Sequence, residues 1–194
     1  MAEARIDLFS PARFSGSIDL RMVASDAERS WIEAGFGKTR FGEGDRALAI
    51  VPAEAVLVWT PRLSDQLGAV LSLEVQEGQD QFVDVGEAYI TWRGSPGAPV
   101  RFTARAGLYF PLISLEHDGL DWAMSDTLTP SAINSWVGEE LKVVGAEATG
   151  RIALGTGDAA ITLGVFGSND KSGTLLALRG WALHDLKSTV SMKH

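Results

Sequence analysis

Apolar and polar residues alternate for about ten residues at a time, and a turn then interrupts the run. This pattern limits what the chain can become more than any other feature. Val100, Phe102, Ala104, Ala106, Leu108 and Phe110 alternate with Arg101, Thr103, Arg105, Gly107 and Tyr109. Leu67, Ala69, Leu71, Leu73 and Val75 alternate with Gly68, Val70, Ser72, Glu74 and Gln76. Phe14, Gly16, Ile18, Leu20 and Met22 form a similar run, as do Gly86, Ala88, Ile90 and Trp92 against Val85, Glu87, Tyr89 and Thr91. Val144, Ala146, Ala148 and Ile152, then Ala159, Ile161, Leu163 and Val165, complete the series. A period of two places one set on each face of an extended strand, whereas a helix requires 3.6. With weaker candidates near 30–40 and 53–60, the chain reads as an all-β protein of about eight antiparallel strands.

The linkers carry turn chemistry. Pro61–Asp65, Gly94–Gly97 and Gly155–Asp158 supply the Gly, Pro, Ser and Asp residues that reverse a chain. The connection over about 111–140 is far longer than a hairpin needs, which marks it as a functional loop. Within it, Thr129, Pro130 and Ser131 would cap a short helix over 132–141.

Composition narrows the class. Of 194 residues, 45% are hydrophobic and 22% charged, a balance suited to a folded chain. No Cys is present, so disulfides, thiolate metal sites and cysteine nucleophiles are excluded. A net charge of −8 argues against a nucleic-acid partner. No stretch supplies the roughly 20 consecutive apolar residues of a spanning helix, which excludes helical membrane proteins and leaves strand-built ones open. Residues 1–16 lack a basic segment followed by an apolar one, so either the protein is cytosolic or its export signal lies outside this sequence.

Two architectures share the alternation. In a soluble sandwich the apolar face points inward. In a transmembrane barrel it meets lipid, and the polar face lines an aqueous lumen. Strands of about 9–11 residues have the length that a tilted strand needs to cross a bilayer. The apolar sets are rich in Ala and Gly, and Phe14, Trp59, Trp92 and Phe110 fall at strand ends, where an interfacial aromatic girdle would sit. These features favour the barrel. A soluble β-sandwich binding module and a small eight-stranded membrane anchor barrel remain the alternatives.

Catalytic motifs do not survive inspection. Gly35-Phe36-Gly37-Lys38-Thr39 ends like a phosphate loop, but Ile32 occupies the position of its first Gly. Glu116-His117-Asp118 is read as solvated loop residues, not as a metal site, and no Ser–His–Asp set stands out. The expectation is therefore no enzyme, no metal and no cofactor. The charged residues of the polar faces, namely Glu87, Arg93, Arg101, Arg105, Glu147 and Arg151, together with Tyr109, are the candidates for a pore lining.

Part of the chain resembles a known family. Glu87-Ala88-Tyr89, then Arg105-Ala106-Gly107-Leu108-Tyr109-Phe110-Pro111, then Leu115-Glu116, resemble the phosphate-selective porin O and P family and related proteobacterial outer-membrane porins. The stretches Thr129–Glu140 and Gly173–Asp185 are similar to segments of the latter group. The resemblance implies a barrel of roughly 16 strands, of which this chain would be the N-terminal part, incomplete at its C-terminus. It implies passive diffusion of small hydrophilic solutes or ions through the outer membrane, lipid as the surrounding partner, and a homotrimer as one compatible assembly. It also implies that the loop at 111–140 folds into the lumen. Glu116, Asp118, Asp121 and Asp126 would then form a constriction opposite Arg101 and Arg105. The chain lacks a dense Lys and Arg run, and this acidic loop argues against phosphate selectivity. With eight strands, the long loop would follow the sixth and emerge on the periplasmic side, where connections should be short. A missing start, or an uncounted strand at Arg5–Phe9, would repair the parity.

Overall fold

A computed structural model of the chain describes residues 6–26, 28–29, 35–36, 47–76, 82–111 and 142–169. Among these residues a 3-10 turn, Pro11–Arg13, leads into seven strands: β1 (Phe14–Ser25), β2 (Ala47–Trp59), β3 (Leu67–Gln76), β4 (Val83–Arg93), β5 (Val100–Tyr109), β6 (Val143–Leu154) and β7 (Gly157–Asn169). They form one antiparallel sheet in the order β1-β2-β3-β4-β5-β6-β7, so every strand pairs with its sequence neighbours. The strands expected at each of the six strong alternating runs are present, and each named strand is 10–13 residues long. Of the weaker candidate near 30–40, only Gly35 and Phe36 are described, and neither is in a strand. The connection 112–141, with its expected helix, lies outside the described residues.

Register joins the apolar sets into one face. Trp59 sits opposite Phe14 and Leu71, Ala69 opposite Ile90, Ile90 opposite Ala106, Ala106 opposite Ala146, and Ala146 opposite Val165. This face is the exposed one. Ile18, Met22, Ile161, Leu163 and Val165 are each more than two-thirds exposed, and Leu57, Ile90 and Phe102 are about half exposed. Val56, Val58, Ser72 and Glu74 are buried on the opposite face, and Tyr109, Phe110, Lys142 and Val143 are buried at the roots of the long connection. A water-soluble sheet buries its apolar side, so burial here is inverted from the soluble pattern.

Three register shifts interrupt the alternation. In the first, Asp19 faces Glu54 and Leu20 faces Pro52, leaving residue 53 extra on β2. Pro52 has no N–H to give the ladder, and bulges are where a strand accommodates such a residue. The second corrects an expectation. Leu71 pairs with Ala88 but Leu73 pairs with Val85, so Ser72 spans both Gly86 and Glu87. Val85 therefore joins the apolar face and Gly86 leaves it, because one extra residue inverts the alternation on its far side. The third falls between Val144 and Gly145, opposite Ser168 and Phe166.

Three connections of two to seven residues, β2 to β3, β4 to β5 and β6 to β7, lie at one end of the sheet, the tight-turn end, and the two longest, β1 to β2 and β5 to β6, lie at the other together with the six-residue β3 to β4 connection. The longest follows the fifth named strand and so shares an end with the β1–β2 and β3–β4 connections. At the tight-turn end the segment before β1 docks on the β2–β3 turn. Asp7 and Arg62 exchange backbone hydrogen bonds of 3.0 and 2.9 Å, and the Trp59 indole N–H donates to the Leu8 carbonyl at 2.7 Å. Phe9 stacks on Trp59 with centroids 5.6 Å apart, and Phe14 lies 6.4 Å away on a nearly parallel plane. Residues 6–9 thus form a bridge at Asp7 and not a further strand. Trp92 joins this end, paired with Leu67. Phe110, expected in the girdle, instead lies buried at the opposite end.

Candidate functional site

The candidate site is the polar face of β3–β6. Arg105 is its centre. Its Nε donates to Glu147 Oε1 at 2.8 Å across the β5–β6 ladder, where the two residues are directly opposite. Its Nη2 donates to the Phe110 carbonyl at 2.9 Å, and its Nη1 lies 4.0 Å from Glu87 Oε1. The guanidinium also covers the Tyr109 ring at 4.2 Å and the Tyr89 ring at 5.4 Å, and the two rings meet edge to face at 6.3 Å. The three charged side chains are between 11% and 17% exposed. A rigid fork of five donors suits this position, because it must serve a carboxylate, a carbonyl and an aromatic face together.

Backbone detail makes room for the cluster. Gly107 has φ +139, and a Cβ there would approach the Ala88 carbonyl oxygen at 2.3 Å and Tyr89 Cα at 2.7 Å. Only Gly permits this close strand approach, which places Tyr89 beside Arg105. The bulge at Gly86 and Glu87 is closed by the Ser72 hydroxyl, which accepts from the Glu87 N–H at 2.6 Å. The Glu87 carboxylate also accepts from the Phe110 N–H at 3.4 Å.

A second cation, Lys142, is 4% exposed. It donates to Asp84 Oδ2 at 3.3 Å and to the Val85 carbonyl at 3.0 Å, with the Phe110 ring 5.5 Å away. Glu74 lies directly opposite Asp84 and is also buried. Both roots of the 112–141 connection are thus fixed to β4, Phe110 through Glu87 and Lys142 through Asp84.

The remaining candidates lie nearer the tight-turn end. Arg101 sits directly opposite Arg151, and Arg93 opposite Thr103, one step diagonal from Arg101. Arg151 pairs with Asp158 at 2.9 Å, both about half exposed. Between them Thr149 and Thr162 share a hydroxyl hydrogen bond of 2.8 Å. The register therefore puts Glu87, Arg93, Arg101, Arg105, Tyr109, Glu147 and Arg151 on one face and gathers Glu87, Arg105, Tyr109 and Glu147 into one cluster. Glu116, Asp118, Asp121 and Asp126 lie outside the described residues. Sequence reasoning missed the Lys142–Asp84 pair, since the two lie 58 positions apart with no periodic link between them. It also missed Tyr89 as an Arg105 contact, although Tyr89 belongs to the polar set of its strand.

No group of three or more metal-ligating side chains occurs among the described residues, and no described helix is long and apolar enough to cross a membrane. No family model, curated protein or solved structure matches the chain.

Proposed function

We propose that this sheet is wall from an outer-membrane β-barrel porin, a water-filled channel for passive diffusion of small hydrophilic solutes or ions. One observation carries the reading. Large aliphatic side chains cover the exposed face, while Glu87, Arg105, Glu147 and Lys142 are largely withdrawn on the other. Exposed aliphatic area on this scale is costly in water. In a bilayer it is stable, because lipid covers the apolar face, while the withdrawn charges are paired and hydrogen-bonded.

Three features add support. Strands of 10–13 residues match a tilted crossing of the hydrocarbon core. Short connections alone at one end, and both of the long ones at the other, match periplasmic turns and extracellular loops. Phe9, Phe14, Trp59 and Trp92 gather at the turn end, as an interfacial girdle would. In this reading the barrel is completed beyond the seven strands, lipid is the partner of the apolar face, and no catalytic step is needed. The resemblance to outer-membrane porins points the same way.

The test is reconstitution. The full-length gene product, refolded into lipid and inserted in a planar bilayer, is expected to give stepwise conductance. A silent bilayer containing inserted protein would overturn the channel.

A further inference from the structure

Three exposed arginines converge at the tight-turn end of the polar face. Arg101 on β5 sits directly opposite Arg151 on β6. Arg93 on β4 sits opposite Thr103, one step diagonal from Arg101. Directly opposed side chains start about 5 Å apart and diagonal ones about 7–8 Å, spans that long side chains close.

Like charges directly opposed destabilise a strand pair, and little around them offsets the cost. Among the described residues no carboxylate pairs with Arg93 or Arg101. The neighbouring carboxylates are already held, Glu147 by Arg105 at 2.8 Å and Asp158 by Arg151 Nη1 at 2.9 Å. Asp158 engages one end of the Arg151 guanidinium, which carries five donors in all.

Hydroxyls and firm backbone lie beneath the three. Thr103 is next to Arg101 on the same face of β5, and Thr149, opposite Thr103, shares a 2.8 Å hydrogen bond with Thr162. The Arg93 N–H donates to the Gln66 carbonyl at 2.9 Å, and the Gly94 N–H to the Phe102 carbonyl at 2.8 Å, so the end of β4 is fixed on both sides. The arginines are thus presented from paired strands.

We infer that Arg93, Arg101 and Arg151 form a binding site for an oxyanion, the carboxylate or phosphate group of a solute, with the Thr103 hydroxyl as a further donor. A guanidinium fork matches two oxygens of either group, and Arg93 and Arg101 have no described carboxylate to fill that match. An anion seated between Arg101 and Arg151 also replaces one repulsion with two attractions. The inference rests on the register of β4, β5 and β6 and goes beyond the channel reading. In that reading the site lies at the periplasmic mouth.

Calorimetric titration of the full chain, refolded in a non-ionic detergent at low ionic strength, tests it. Inorganic phosphate and acetate are the probes, one at a time. At least one is expected to bind saturably, and the tighter of the two names the preferred group. R93Q/R101Q should weaken that binding about tenfold or more, since each arginine supplies charge-assisted hydrogen bonds. R101E is the second variant. It places a carboxylate opposite Arg151, which favours folding, and it should abolish binding. Each anion that binds should also raise the melting temperature of the unaltered chain and leave that of R101E unchanged. No saturable binding of either probe would overturn the site. So would an affinity that both variants change by less than about threefold. The titration needs no conductance, so a silent bilayer would sink the channel and leave this result standing.

Discussion

Arg105 and Gly107 show how much of the polar face depends on single residues. Arg105 neutralises Glu147 and faces Glu87 while capping the Phe110 carbonyl. Arg105→Ala would take its cation from the largely withdrawn Glu147 carboxylate, and a loss of about 2–4 kcal/mol is expected. Denaturant titration of the lipid-refolded protein measures it. Arg105→Lys should recover only part, because a point charge cannot reach carboxylate and carbonyl together. Gly107→Ala meets both a left-handed backbone and a 2.3 Å approach to the Ala88 oxygen. It should cost at least about 2 kcal/mol by the same titration. The charged members of this cluster were legible as one face from the alternation alone. Their pairing was not, because period two says which face a residue takes and nothing about its neighbour across the ladder.

At the scale of elements, the N-terminal segment and the apolar face make separate predictions. The Arg13 guanidinium, 2.8 Å from the Asp7 carboxylate, together with the Ser10 hydroxyl, holds Asp7 below the usual carboxylate range. A depressed carboxylate stabilises the docked segment at higher pH. Its contribution is complete above the unfolded value and is lost as pH falls through the lower folded one, beneath about 4. Because Phe9 stacks on Trp59, acid release should change tryptophan emission, and Asp7→Asn should remove that acid transition. On the apolar face Ile90 lies at the centre of the sheet and is about half exposed. Ile90→Arg should cost about 2–4 kcal/mol if lipid covers this face. If water covers it, an exposed substitution should stay within roughly 0.5 kcal/mol. Unfolding of the vesicle-bound variant separates the two. The strands themselves were readable at six strong runs. The bulge at Gly86 and Glu87 was not, because an extra residue in one strand is defined only against Ser72 of another.

For the whole molecule, the exposed apolar face spans all seven strands, well beyond the isolated apolar side chains of ordinary soluble surfaces. The 194-residue chain in detergent-free buffer is therefore expected to aggregate or oligomerise, and size-exclusion chromatography should show no sharp monomer peak. In detergent the same chain should elute as a defined particle. A clean monomer in buffer would favour the soluble sandwich. The sequence by itself determined six of the seven strands, the turns between them and the membership of almost every residue of those strands in one of two faces, since alternation follows from extended backbone geometry. The tertiary structure decided which face is exposed, which charges meet across strands, and where bulges reverse the alternation. Those depend on register, and register exists only between strands that have already come together.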